Sequence, residues 1–410
     1  MSSLWHAFAN MNQVQDHPFV ISRGDGAYVF DQSGKRYLDA TAGLWFAHLG
    51  YGRHEVAAAV QAQMQEIFAY HNFTDYATQP TIDLAERIEK HSPDSQSKVF
   101  FTSGGSDAVE SAAKLVRRYH NLTGSPERTV FIGREWAYHG MHTYGTTLGG
   151  IEPNRSGYGE MVSDVVLVPH DDVDAIEKAI NHAGAERIAG IFCEPVIGAG
   201  GVRPVPVDYL HSARDLVRAA GGLFISDEVI TGFGRIGDWF AATRFDLDPD
   251  LILFAKGVTA GYLPLGGMVV SPRVAGAFFD QAGVVWRHGY TYTGHATVCV
   301  AGLAVTSIYE DEPIFARALE LEKELEDALT PLIGVGPVTA VRAGTGAMAA
   351  VQLDDNDETL AARVAKATRD HGVIVRALAG NGIQISPPLI FTPEHVDELV
   401  TGLEAGLRAI

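Results

Sequence analysis

The sequence predicts an α/β protein built on one seven-stranded, mainly parallel sheet, with a smaller α+β part assembled from both ends of the chain. Three observations carry this. Seven short apolar runs lie in the middle of the chain: KVFFT (98–102), TVFIG (129–133), VVLVP (165–169), IAGIFCEP (188–195), LFISDE (223–228), LILFA (251–255) and MVVS (268–271). Their apolarity is continuous rather than alternating, as in strands covered on both faces. Amphipathic stretches at 107–120, 173–183 and 207–220 fall between them, the alternation expected of parallel strands joined by helices.

Ahead of this region, GAYVFDQSGKRYLDA from Gly26 alternates around a Ser33-Gly34 turn and predicts a β-hairpin, followed by a helix from His54 to about Phe68. Beyond about residue 300 long helices take over, at 314–329, at 358–370 and in a last helix opened by Thr392 and Pro393. That last helix carries Val396, Leu399, Val400, Leu403, Leu407 and Ile410 on one face. Between the helices, GAMAAVQL (346–353), VIVRAL (373–378) and IQIS (383–386) predict a small sheet. The expected division is 1–53 as the first part of the small domain, 54–305 as the large domain and 306–410 as the second part of the small domain.

A chain of 410 residues suggests two or three domains at about 150 residues each. Its 31 Lys and Arg against 50 Asp and Glu leave a net charge of −19, which argues against a nucleic-acid backbone or an anionic membrane as a general partner. Cys193 and Cys299 are far apart in apolar runs, so neither a disulfide framework nor a cysteine metal site is indicated, and no metal is expected. The opening MSSLWHAFANMNQ lacks a basic region followed by an apolar stretch, and no segment approaches the roughly 18 apolar residues of a membrane span. A cytoplasmic protein is the expectation.

Gly232, Gly234 and Gly237 form G-F-G-R-I-G after the strand LFISDE, the outline of a dinucleotide site. A nicotinamide oxidoreductase would need the turn to open directly after the strand, lead into a long helix and place an acidic residue about 20 positions on. None of these holds here, so a glycine-rich loop is the better reading. No P-loop, zincin or serine-hydrolase motif is present.

FFTSGGSDAVESAAKL is more informative. It sets Ser103, Gly104, Gly105 and Ser106 between a strand and a helix whose apolar stripe includes Ala108, Ala112 and Leu115. Such a loop offers backbone N–H groups, a hydroxyl and a helix N-terminus to a phosphate. Asp227 ends LFISDE and Lys256 follows the next strand, and in an open α/β sheet ligands sit beyond the carboxyl ends of strands. A lysine closing an apolar strand is rarely buried unless paired or reactive, which makes Lys256 a candidate amine nucleophile. Phosphate loop, carboxylate and lysine are the three contacts that pyridoxal 5'-phosphate needs.

In these motifs, and in GAYVFDQSGKRYLDATAGLW, EWAYHG, CEPVIGAGG, ISDEVITGFGR, HGYTYTGHA and ISPPL, the sequence resembles the class III (ω-)aminotransferases, pyridoxal-phosphate enzymes of fold type I. The resemblance covers nearly the whole chain. It implies that Lys256 bonds the cofactor aldehyde, Asp227 keeps the pyridine nitrogen protonated, Val229 packs beneath the ring and Tyr138 stacks on it. Gly105 and Ser106 would hold the phosphate, and Thr291 would complete the phosphate site of the neighbouring subunit. Glu194 would orient the surroundings of Asp227 or of the cofactor hydroxyl. His139 and His295 are set aside as structural.

The resemblance further implies a homodimer, or a tetramer of dimers, with a shared active site. The substrates would be a small-molecule amine or ω-amino acid and pyruvate or a related 2-oxo acid, used in a ping-pong cycle. Arg376, in VIVRAL, stands where pyruvate-using members carry an arginine that grips the substrate carboxylate and swings away for apolar amines. Trp45 would line the substrate pocket, with Tyr70 and Ala199 beside it. WHAFANM echoes an opening shared by several members, the diaminopelargonate enzymes among them, too broadly to fix the amine donor. A diaminopelargonate-type aminotransferase, or another class III enzyme such as an aminomutase or a decarboxylase, stands as the alternative. Two departures are Ser103 to Asp107 in place of the usual N-S-G-[ST]-E and Ala296 where proline commonly follows GH.

Overall fold

All seven apolar runs become strands of one sheet. The computed structural model describes residues 3–16, 18–354 and 356–410; Met1 and Ser2 of the opening segment lie outside these. Across the sheet the order is Lys98–Thr102, Gly266–Val270, Leu251–Phe254, Leu223–Asp227, Ile188–Cys193, Val130–Arg134 and Val165–Val168. Gly266–Val270 runs antiparallel to both neighbours, and every other pairing is parallel. The three central strands are buried at every residue, which is why their sequence does not alternate.

Successive side chains nevertheless serve different faces. Phe224, Ile252 and Phe254 pack in one core with Tyr209, Leu210 and Val217 of the helix Val207–Ala219. Leu223, Ile225, Leu251 and Leu253 pack in another with Ala108, Ala112 and Leu115 of the helix Gly105–Leu122. Each such side chain contributes about 1.5–3 kcal/mol on leaving water, and a sheet covered on both faces is the result. The parallel strands therefore point the same ends toward one edge, where the connecting turns collect.

The small domain holds two further four-stranded sheets. The hairpin Tyr28–Asp31 and Arg36–Asp39 is preceded by an edge strand, Ile21–Asp25, whose glycine and charges hid it from periodicity. Val373–Ile374 joins this sheet parallel to Arg36–Asp39. The other sheet is antiparallel, in the order Val338–Arg342, Ala349–Leu353, Gly382–Ile385 and Arg376–Leu378.

VIVRAL is thus not one strand: the chain leaves one sheet at Ile374 and enters the other at Arg376. Continuous apolarity conceals such a crossing, because it carries no sign of which edge each residue pairs with. Ile410 is also corrected. The last helix is Pro393–Arg408, burying Val396, Leu399, Leu403 and Leu407, whereas Ile410 lies beyond it and is exposed. The helix from His54 stops at Glu66, two residues short of Phe68. Elements without a sequence expectation include the helices Gln79–Lys90, Pro272–Phe279 and Ala296–Asp311 and the strands Ile21–Asp25 and Val338–Arg342.

Gly190 shows how closely the central strands approach. A Cβ there would come within 2.5 Å of the Leu223 carbonyl oxygen and 2.9 Å of Ile225 Cδ1. Overpacking a core costs about 1–3 kcal/mol, so Gly190→Ala should lower the urea midpoint of unfolding clearly, and an unchanged midpoint would show that the two strands can part.

Candidate active site

Five strands deliver their carboxyl ends to one crevice. Thr102 leads to Gly105 and Ser106, Arg134 to Tyr138, Cys193 to Glu194, and Phe254 to Lys256, while Asp227 is itself the last residue of its strand. Gly105, Ser106, Tyr138, Glu194, Asp227 and Lys256 line a cavity of about 150 Å³, together with Val229. It shares Tyr138, Ile230 and Lys256 with a second chamber of about 610 Å³.

Lys256 opens a short 3-10 turn, Lys256–Thr259, with its own backbone at φ +45°, in the left-handed region that L residues rarely adopt. Such a conformation costs about 1–3 kcal/mol and persists only where the surroundings impose it. Here the next residue is locked: the Tyr309 hydroxyl donates to the Gly257 carbonyl at 2.8 Å, and a Cβ on Gly257 would meet His48 Cε1 at 2.5 Å. Burial lowers the Lys256 amine to about 8; Asp227 and Glu194 pull it back up, and Arg376 adds to the depression. The amine is therefore available in its nucleophilic form far below the usual lysine range.

Asp227 is 4% exposed, a carboxylate that must be held by donors to be tolerated there. His139 Nδ1–H donates to Oδ2 at 2.7 Å, and the Val229 N–H donates to Oδ1 at 3.2 Å. A carboxylate only accepts, which fixes the histidine tautomer. His139 is accordingly more than core filling, and it corrects the sequence reading. Its signal was its place one residue after Tyr138 on a turn at the same sheet edge. Glu194 accepts the Tyr138 N–H at 2.9 Å and the Gly198 N–H at 3.0 Å, so it fixes the segment that presents Tyr138. Burial raises its carboxyl above the usual range, with Asp227 adding to the effect.

The opposite end of the cavity suits a phosphate. The first N–H groups of the helix Gly105–Leu122 have no intrahelical partner. Ser106 Oγ accepts the Met141 N–H at 3.2 Å, leaving its own proton to donate. A Cβ on Gly105 would meet Val229 at 3.0 Å, and one on Gly140 would meet Ser106 Oγ at 2.4 Å, so only glycine keeps this cradle open. Helix terminus, anchored carboxylate and desolvated amine fit the three reactive ends of a phosphorylated pyridine aldehyde.

Trp45, Ala199 and Arg376 line the larger chamber. Trp45 is 2% exposed at φ +69°, and its indole N–H has no hydrogen-bond partner. Asp39 imposes that turn by accepting from the N–H groups of Thr41 and Gly43 and from the Thr41 and Tyr51 hydroxyls. Arg376 forms no ion pair among the described residues; its one bond is a 3.5 Å contact to Gln384 Oε1. Tyr70 and Thr291 line neither chamber in this chain and are exposed. His295 lies outside both chambers as well, its Nδ1 buried without a partner. No group of side chains suited to a metal ion exists among the described residues.

The G-F-G-R-I-G loop is packing. A Cβ on Gly234 would meet Phe315 at 2.6 Å and one on Gly237 would meet Leu319 at 2.3 Å, both on the helix Ile314–Leu329. Arg235, fully buried, donates to the carbonyls of Ala347 at 2.8 Å and Pro387 at 2.6 Å, pinning the small domain beside the site.

Comparison with known proteins agrees with this geometry. The family model described as Aminotransferase class-III matches residues 9–407. The crystal structure of an amine transaminase from an uncultivated Pseudomonas species, in its PLP-bound form, superposes with a TM-score of 0.95 at 36% identity, over 100% of this chain and 99% of that one. An omega-aminotransferase of Caulobacter vibrioides is 33% identical over 98% of this chain and 96% of its own length. A putrescine--pyruvate aminotransferase of Pseudomonas aeruginosa is 34% identical over 93% and 89% respectively.

The lowered Lys256 amine sets a pH dependence. In the cofactor-free protein, labelling of Lys256 by a small amine-reactive reagent should rise as pH passes through about 8. A rise centred near 10.5 would mean that water solvates the amine.

Proposed function

The chain belongs to the class-III aminotransferase family, and from that premise we propose that it moves the amino group of a primary amine or an ω-amino acid to pyruvate or a related 2-oxo acid. It is a pyridoxal-phosphate enzyme. The observation that carries the reading is the desolvated Lys256 amine facing the anchored Asp227 carboxylate at the junction of the two chambers.

Gly105, Ser106 and the helix terminus would hold the phosphate, Tyr138 and Val229 would enclose the ring, and the Asp227 carboxyl would partner the ring nitrogen. When bound, the cofactor supplies an aldehyde for the donor nitrogen and a ring able to take up the electron pair left when the donor carbon loses its proton. Lys256, with its amine lowered to about 8, removes and returns that proton, since an acid-base group works best when its pKa lies near the working pH. Both substrates use one chamber and one lysine, so the keto product leaves before the 2-oxo acid enters, which is a ping-pong cycle. Arg376, with no ion pair of its own, is free to take a substrate carboxylate through two parallel hydrogen bonds.

A homodimer with a shared site belongs to the same reading. Phe68, Tyr70, Phe73, Tyr76 and Tyr292 are large and exposed. Asn72 Nδ2 donates to the Thr293 carbonyl at 3.1 Å, which joins the Tyr70 segment to the one carrying Thr291. An apolar patch of this kind marks an interface, and both residues that fall outside this chain's own chambers lie on it. A cytoplasmic location accords with two buried, unpaired cysteines.

Lys256→Ala should abolish turnover, and the visible band of the wild type should bleach with an amine donor and return with pyruvate; retained activity in the variant would end the assignment. Arg376→Ala removes a charge-assisted contact of about 1.5–3 kcal/mol. Its kcat/KM for pyruvate should fall about 10-fold to 100-fold while use of an apolar amine changes little. Phe68→Glu should convert a dimer to monomers in sedimentation and weaken cofactor retention; a dimer that persists would place the interface elsewhere.

A further inference from the structure

The larger chamber carries more polar chemistry than the two half-reactions use. Besides Lys256 and Arg376 it is lined by Trp45, Tyr138 and Asn154. The Trp45 N–H is closed off from it in an apolar cluster with Val196, Ile230 and Met348. Asn154, half-buried on the short helix Glu152–Arg155, offers an amide that can both donate and accept. The rest of the lining from this chain is alanine, leucine, isoleucine and Phe8, and no aspartate or glutamate is part of it.

A hydroxyl entering the chamber can exchange a bond to water for one to the Asn154 amide. A second ammonium meets the reverse situation. It would enter a chamber to which the described residues of this chain bring no carboxylate, with the unpaired Arg376 guanidinium in its wall, so it would lose hydration and face like charge.

Resting on the transamination reading above, we infer that the chamber selects amine donors whose far end is an uncharged hydrogen-bonding group, such as a hydroxyl, over donors carrying a second ammonium. The Asn154 amide receives the hydroxyl, and Arg376 turns the diamine away. The substrate class is thus set by the two polar side chains of the chamber wall, one neutral and one cationic.

Three donors of matched length test this on the holoenzyme with pyruvate as acceptor: 4-aminobutan-1-ol, 1,4-diaminobutane and pentylamine. The amino alcohol should exceed the diamine in kcat/KM by at least about tenfold, which corresponds to about 1.4 kcal/mol. Arg376→Gln should narrow that gap, and Asn154→Leu should lower the amino alcohol relative to pentylamine. Equal or better use of the diamine by the wild type overturns the inference alone, as does an amino alcohol to pentylamine ratio that Asn154→Leu leaves unmoved. With 4-aminobutanoate as a fourth donor, turnover of that donor alone overturns this inference and leaves the transamination reading standing, and turnover of none of the four overturns both.

Discussion

A carboxylate kept out of water governs the site. Asp227 ends a strand with no exposed residue, and His139 and Val229 supply donors to its two oxygens. A buried carboxylate needs such partners. The other groups are arranged around it. The amine of Lys256 can be desolvated without being driven to neutrality at every pH, since the nearby negative charge opposes burial. Glu194, the other carboxyl of the cavity, is pushed toward its protonated form. Burial is the larger cause, and the two N–H donors that Glu194 accepts oppose it.

The sheet makes this possible because parallel strands bring their carboxyl ends to one edge. Five turns, each only a few residues long, place amine, carboxylates, aromatic ring and phosphate cradle around a single cavity. No single loop has to be long or mobile to build it. The strained turn at Lys256 and the glycine cradle at Gly105 and Gly140 are local departures from regular geometry, and both occur where the backbone must approach a ligand closely.

Sequence patterning reached far in the large domain and less far in the small one. The seven central runs were legible because burial on both faces leaves long apolar stretches bounded by turns. Lys256 and Asp227 stood out because charged residues at the ends of such stretches are rare. Ile21–Asp25 was not legible, since an exposed edge strand needs no apolar face. The crossing within VIVRAL was hidden because one apolar run serves two sheets. His139 was passed over because a histidine inside a turn carries no periodic signal, and only the fold reveals which side chain it faces. Tyr70 and Thr291 can be weighed only against a surface, which a single sequence does not display.

The crossing at Val375 ties together parts of the chain that are far apart in sequence. Val373–Ile374 lies against Arg36–Asp39, so the strand that runs on to Arg376 is registered on the same short ladder that ends in Asp39. Asp39 in turn shapes the turn that presents Trp45. The two walls of the substrate chamber are therefore hung from one four-residue seam between the opening hairpin and the closing third of the protein. Exchanging the opening forty residues for those of a relative would leave Trp45 and Arg376 in the chain and yet move the ladder on which both are registered, so both walls would shift together.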